Sequence, residues 1–151
     1  MQTIEYLEQI YRLTVIINNK KAEIDELKDL FYGTSGIFIS ERVQSQNAAD
    51  TTSEVAIKII ERENEITKGL ADAITSRKHI INQIESMSNP VYCDILSKRF
   101  IQNKGWTEIS RSVNYTYKQT KRLYRKALTT FENTYGDEYL RKDVLKCPKM
   151  S

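Results

Sequence analysis

The residues whose chemistry stands out are basic, and they lie close together in the last third of the chain. Between Ile109 and Phe131 there are six Lys or Arg residues and no Asp or Glu: Arg111, Lys118, Lys121, Arg122, Arg125 and Lys126. The four from Lys118 to Arg125 follow the i, i+3, i+4, i+7 spacing of one helix face. A face of one charge sign repels itself, so the pattern favours binding to a polyanion such as a phosphate backbone. A helix whose charges only solvate its surface is the alternative.

Charge is distributed unevenly along the 151-residue chain, whose net charge is +3. Residues 1–89 hold 10 basic and 14 acidic residues, a net charge of −4, and residues 90–151 hold 13 and 6, a net charge of +7. An acidic half followed by a basic half predicts two modules, divided at about residue 89, with the second facing nucleic acid.

Helix start and stop signals divide the basic half into short elements. The predicted elements are a helix from Pro90 to about Asn103, a short helix from Glu108 to Val113 capped by Thr107, a tight turn at Asn114-Tyr115, a long helix starting at Thr116, and a short helix over Asp137–Lys146. Asn89 is a typical cap before Pro90. Asn114 tolerates the left-handed conformation of a tight turn. Thr116 and Gln119 have the spacing of a capping box.

The long last helix is predicted to be amphipathic. Its apolar stripe consists of Thr120, Leu123, Tyr124, Ala127, Leu128 and Phe131. A short helix, a tight turn and a long basic helix form a helix-turn-helix, whose last helix enters the major groove of DNA.

Individual roles follow from position along the predicted recognition helix. The residues expected to face the bases are Lys118, Lys121 and Arg122, flanked by Tyr117 and Gln119. Arg and Lys can bind the guanine edge, and Gln can bind the adenine edge. The groups expected to bind phosphates are Arg111, Arg125, Lys126 and the backbone amides at Thr107 and Thr116.

Two long helices with heptad seams are predicted for the acidic half. The first spans about Thr3 to Tyr32, with the seam Ile10, Leu13, Ile17, Lys20, Ile24, Leu27 and Phe31. The second spans about Ser53 to Ser88, with two interleaved rows: Ile59, Ile66, Ala73, Ile80, Met87 and Ala56, Glu63, Leu70, Arg77, Ile84. Neither helix can bury its seam alone, so we expect an antiparallel hairpin that also forms a homo-oligomer, with a dimer favoured. The connection from Gly33 to Thr52 is predicted as a loop. Its apolar Ile37-Phe38-Ile39 would cap the helices or dock a partner.

Several stretches of the basic half carry a family resemblance. The stretches Tyr92–Ile101, Gly105–Ser110, Asn114–Thr116 and Leu123–Leu128 resemble the DNA-binding fourth region of bacterial sigma factors. Together with Glu41–Ser45, they make the whole chain similar to the ArpU/RinA-type late-gene regulators of phages that infect Gram-positive bacteria. That group pairs an N-terminal coiled coil with this helix-turn-helix. The resemblance implies an all-α transcriptional regulator that acts with the host RNA polymerase in the bacterial cytoplasm.

The chain departs from the sigma pattern in places. Ser110 and Thr120 stand where that pattern usually has Ala and a Val-like residue. Nothing resembles the sigma region that melts promoter DNA, so the resemblance implies an activator or partial sigma-like factor.

Other functional classes stay open at this level. A small terminase subunit of a phage DNA-packaging system also joins a helix-turn-helix to oligomerising helices, and a helical interaction protein without nucleic acid is a third class. An enzyme is not expected, because no acid–base pair has a recognisable spacing. His79 is expected to be a partly buried helix residue, Cys93 a small apolar one, and Cys147 part of a loose tail. One His and two Cys do not supply a zinc site, and no cofactor is expected. No membrane-spanning run or leader is recognisable, so we expect a cytoplasmic protein.

Overall fold

The computed structural model describes residues 2–41 and 46–146, and side chains within 2–32 and 53–140. These residues are all-α, in the order α1 (Thr3–Glu41), α2 (Gln46–Glu85), α3 (Pro90–Leu96), a π-helical segment (Ser97–Ile101), α4 (Trp106–Val113) and α5 (Tyr117–Lys146). The predicted all-α class and long N-terminal helix are confirmed. No helix in the described ranges has the length and apolar character needed to cross a membrane.

Both long helices extend into the region predicted to be a loop. That prediction, for Gly33 to Thr52, is wrong over 33–41 and 46–52, where the backbone is helical. A Gly inside a helix costs only about 1 kcal/mol relative to Ala, so a Gly- and Ser-rich composition does not by itself end a helix. The capping or docking role suggested for Ile37-Phe38-Ile39 concerns side chains outside the described ones.

The chain divides into two compact units that interleave in sequence. One contains residues 15–75, and the other contains residues 1–14 and 76–151. The modules predicted at 1–89 and 90–151 therefore do not coincide with the compact units. The physical reason is that the ends of the acidic half contribute apolar side chains to the core of the basic half.

In the unit of residues 15–75, α1 and α2 are antiparallel along the predicted seams. Glu23 accepts a hydrogen bond from Arg62 across 3.0 Å, while Lys20, earlier in α1, lies against Gly69, later in α2. The predicted seam positions of both helices are buried or half-buried, which confirms the heptad pattern. Lys20, the polar break in the α1 seam, lies where α2 has no side chain.

The other unit has one core built from both ends of the chain. Its buried cluster consists of Tyr6, Leu7, Ile10, Ile80, Ile84, Leu96, Phe100, Ala127, Phe131 and Tyr139. The rings of Tyr6 and Tyr139 stack with centroids 4.2 Å apart. Tyr6 donates a 2.6 Å hydrogen bond to Gln83, and burial, aided by the nearby Glu138 and Tyr139, raises the pKa of Tyr6 to about 12. The start of α1 is thus held against α2 and α5.

Element boundaries in the basic half differ from the predictions in three places. Asn89 caps α3 as expected, accepting from the Val91 amide at 3.0 Å, but the predicted helix changes to π-helix at residue 97. The short helix begins at Trp106, with Gly105 as its cap, so the Thr107 cap is wrong. The separate helix predicted for 137–146 is also wrong, because α5 continues unbroken through it. Tyr139, which is 2% exposed, anchors that extension in the core.

Candidate nucleic-acid interface

The turn between α4 and α5 is closed by a left-handed residue, as the sequence predicts. Asn114 has φ 62° and ψ 33°, and its amide donates to the Ser110 carbonyl. The Tyr115 amide donates to the same carbonyl across 3.3 Å. Asn tolerates this conformation better than branched residues do. The two helices are therefore joined by a short turn with satisfied backbone groups.

The start of α5 is fixed by the predicted capping box. Gln119 donates its amide to the Thr116 hydroxyl at 3.1 Å, and the Thr116 amide donates to the Gln119 side-chain oxygen at 3.3 Å. The Thr120 hydroxyl donates to the Thr116 carbonyl at 2.8 Å and is fully buried. Two of the predicted DNA-binding residues, Thr116 and Gln119, thus use their side chains to begin the helix.

The predicted apolar stripe of α5 faces inward. Thr120, Ala127 and Phe131 are 0% exposed, and Leu123, Tyr124 and Leu128 are half-buried. α3 and α4 both pack against α5, and Trp106 of α4 contacts Tyr124 of the stripe. This burial confirms the amphipathic assignment and leaves the basic positions on the other side of the helix.

Five of the six basic residues are exposed: Arg111, Lys118, Arg122, Arg125 and Lys126. Among the residues that the structure describes, none of these five forms an ion pair with an acidic side chain. Lys118, Arg122 and Arg125 lie at i, i+4 and i+7 on the solvent side of α5, and Tyr117, at the helix start, is 53% exposed. The result is a ridge of uncompensated positive charge about 10 Å long, at 1.5 Å per residue.

The sixth basic residue, Lys121, packs against an aromatic ring. Its ammonium lies 4.3 Å from the centroid of the Trp106 ring, and the Arg99 guanidinium lies 4.8 Å from the same centroid. Tyr124 meets Trp106 edge-on at 4.5 Å, and burial raises the pKa of Tyr124 while Arg99 partly offsets that rise. Such cation–aromatic contacts hold both charges in defined positions.

Arg99 is a residue that the sequence reasoning missed. It comes from the π-helical segment, where its guanidinium also donates to the Lys104 carbonyl at 3.2 Å. No spacing rule connects Arg99 with Trp106 and Lys121, since they belong to three different elements. The helix changes from α to π after Leu96, and no pattern in the sequence predicts that change.

A shallow groove lies beside the turn. It is lined by Thr107, Ser110, Arg111, Asn114, Tyr115, Thr116 and Tyr117. The first turns of α4 and α5 both border it, and helix starts present amide groups that favour anions. Gly105 caps α4 but has no side chain, so it cannot accept a hydrogen bond from the first amides of the helix. The amides of Asn114 and Tyr115 already donate to Ser110, and the Thr116 amide, predicted to bind a phosphate, already donates to Gln119. The charged donor of the groove is the Arg111 guanidinium.

His79 and Cys93, the other candidate side chains, lie outside the basic ridge of α5. The His79 ring nitrogen lies 3.0 Å from Glu138, and the His79 side chain is 57% exposed, so the expectation of partial burial is wrong. Glu138 also accepts from Gln83 at 2.8 Å. Cys93 is half-buried against the core cluster, and Cys147 lies outside the described residues. Within the described ranges, no three His, Cys, Asp or Glu side chains group as metal ligands would.

In comparisons with known proteins, no family model, curated protein or solved structure matches this chain.

Proposed function

We propose that this protein binds double-stranded DNA through α5 and regulates transcription. The observation that carries the proposal is the exposed basic ridge of α5, which follows a short helix and a left-handed turn and has no acidic partner among the described residues. A ridge of one sign lowers stability through self-repulsion, and a phosphate backbone relieves that cost. We assign no catalytic role to any residue.

In this proposal the basic residues have two different roles, base contact and phosphate contact. Lys118 and Arg122, both exposed, are the best placed to reach base edges, with Tyr117 beside them. Arg125, Lys126 and Arg111 bind phosphates in this scheme, and the first-turn amides of α4, such as that of Thr107, support them. Lys121 sits on Trp106 and contributes charge from a fixed position.

The wider role follows from the resemblance to sigma region four and to ArpU/RinA-type phage regulators. On that basis we propose an activator of phage late genes that works with the host RNA polymerase in the bacterial cytoplasm. A dimer would present two recognition helices to a bipartite site, with half-sites about 34 Å apart or a multiple of that.

The test begins by selecting bound sequences from random duplex DNA with the full-length protein. Binding of the selected duplex and of a random duplex is then measured by fluorescence anisotropy at several salt concentrations. Arg122→Ala is expected to weaken the selected site by about 5- to 150-fold and to relax one position. Lys126→Ala should weaken both duplexes alike and lower the salt slope by about one.

The matched control is Lys58→Ala, which removes an exposed charge from α2 and should leave both affinities unchanged. Equal losses on the two duplexes for Arg122→Ala would overturn its assignment as a base-contacting residue. Binding that is absent, or insensitive to salt, would overturn the DNA-binding proposal and favour a protein-interaction role. A mass measurement of the free protein separates a regulator from a packaging subunit, because a ring of many copies fits packaging.

A further inference from the structure

A second stripe runs along α2, separate from the seam that faces α1. Its members follow the three- and four-residue spacing of a heptad seam and are all exposed and uncharged: Ile57, Ile60, Asn64, Thr67, Ala71 and Ile74. The three Ile side chains are 55%, 48% and 42% exposed. From Ile57 to Ile74 the stripe is about 26 Å long. Six consecutive seam positions without a charge are unusual on a helix surface in a chain that is 28% charged.

The stripe is distinct from the intramolecular seam. In this unit α1 covers Ile59, Glu63, Ile66, Leu70 and Ala73, which are buried or half-buried. At about 100° per residue, the centres of the two stripes lie roughly 110° apart around α2. Contact with α1 therefore leaves the second stripe uncovered.

The residues of the stripe can pair with the stripe of a second copy that runs in the opposite direction. If two copies of α2 run antiparallel about a two-fold axis between positions 65 and 66, Ile57 meets Ile74 of the second copy and Ile60 meets Ala71. Asn64 meets Thr67 nearest the axis, where an amide and a hydroxyl can share hydrogen bonds. A two-fold interface repeats each of these layers, so every residue of the stripe has a partner.

The charges beside the stripe match the same arrangement. In antiparallel helix pairs, equivalent flanking positions face each other, and here Glu61 of one copy meets Lys68 of the other, twice by symmetry. Glu61 and Lys68 are both exposed. A parallel pair would instead set Lys68 opposite Glu63, which α1 half-covers, and Glu61 opposite the half-buried, uncharged Ala56. The antiparallel orientation is therefore favoured.

We propose that this stripe of α2 is a homodimer interface in which two copies of the chain pack antiparallel, with reciprocal Glu61–Lys68 ion pairs. It supplies the contact surface for the dimer invoked in the proposed function, but it needs no DNA. A 26 Å two-helix contact buries less than the roughly 800 Å² per partner of a standard interface, so we expect association in the micromolar range.

The test is analytical ultracentrifugation of the full-length protein, without DNA, over about 1 to 500 μM, a range chosen to bracket micromolar association. The wild-type chain should pass from monomer to dimer. Glu61→Lys and Lys68→Glu should each weaken the dimer about tenfold, because each replaces two attractive pairs with two repulsive ones. The double variant should restore affinity to within about threefold of wild type, since it exchanges the charges and recreates both pairs.

Two further variants complete the design. Asp72→Lys reverses an exposed charge on α2 outside the stripe and should leave the dimer unchanged. Ile60→Glu should abolish it. Circular dichroism melts check that each variant keeps its helices.

A monomer at every concentration, a particle larger than a dimer, or a double variant as weak as the single ones would overturn the interface. A dimer whose affinity is the same in all of the α2 variants would show that the chain dimerises through another surface. DNA binding is judged separately by the Arg122 and Lys126 variants.

Discussion

The basic C-terminal half should not fold on its own, although its charge and helix signals mark it as a module. A fragment of residues 90–151 lacks Tyr6, Leu7, Ile10, Ile80 and Ile84, which make up half of the buried cluster around Phe131 and Tyr139. At about 1.5–3 kcal/mol for each buried apolar side chain, the fragment loses about 7–15 kcal/mol of stabilisation. A whole domain is typically stable by about 5–15 kcal/mol, so the fragment is expected to be largely unfolded.

The assay compares the fragment with the intact chain by circular dichroism and by the dispersion of amide proton resonances. A matched pair of point variants tests the same reasoning in the full-length protein. Leu7→Ala, at a position that is 0% exposed, should destabilise the unit by about 2–5 kcal/mol. Leu30→Ala, at a position that is 53% exposed on the same helix, should change stability by less than about 0.5 kcal/mol. A fragment that shows a dispersed spectrum and melts like the intact protein would refute the shared core.

Three further predictions concern single positions. Asn114→Gly should leave stability nearly unchanged, whereas Asn114→Val should lower it by about 1–2 kcal/mol in urea melts because of the left-handed backbone; equal effects would contradict that reason. Gly69→Ala should raise stability by about 0.5–1 kcal/mol, since α2 gains helix propensity and only the flexible end of Lys20 must give way; a loss would mean that Lys20 cannot move. Tyr6 ionises at about pH 12 in the folded state and at about pH 10 in the unfolded chain. Its stabilising contribution is therefore complete below pH 10 and falls by up to about 1.4 kcal/mol per pH unit between pH 10 and 12. Tyr6→Phe should reduce that slope in alkaline denaturation, and an unchanged slope would count against the assignment.

Patterns that depend on local spacing were predictable from the sequence. The heptad seams of α1 and α2, the Asn89 cap, the left-handed Asn114 and the Thr116–Gln119 box all depend on residues within a few positions of each other. The amphipathic division of α5 has the same origin, because helical periodicity alone separates its basic and apolar faces. Fold class and the candidate ridge follow from these local signals.

Features that depend on residues far apart in sequence were decided by tertiary packing. Tyr6 and Tyr139, which are 133 positions apart in the sequence, stack on each other, and that contact joins the start of α1 to an extended α5. Arg99, Trp106 and Lys121 meet only because the π-helical segment, α4 and α5 converge. The sequence by itself determined which faces are apolar and which are basic, since those follow from helix periodicity. Only the tertiary structure decided which apolar faces share a core, because many pairings of such faces satisfy the same periodicity.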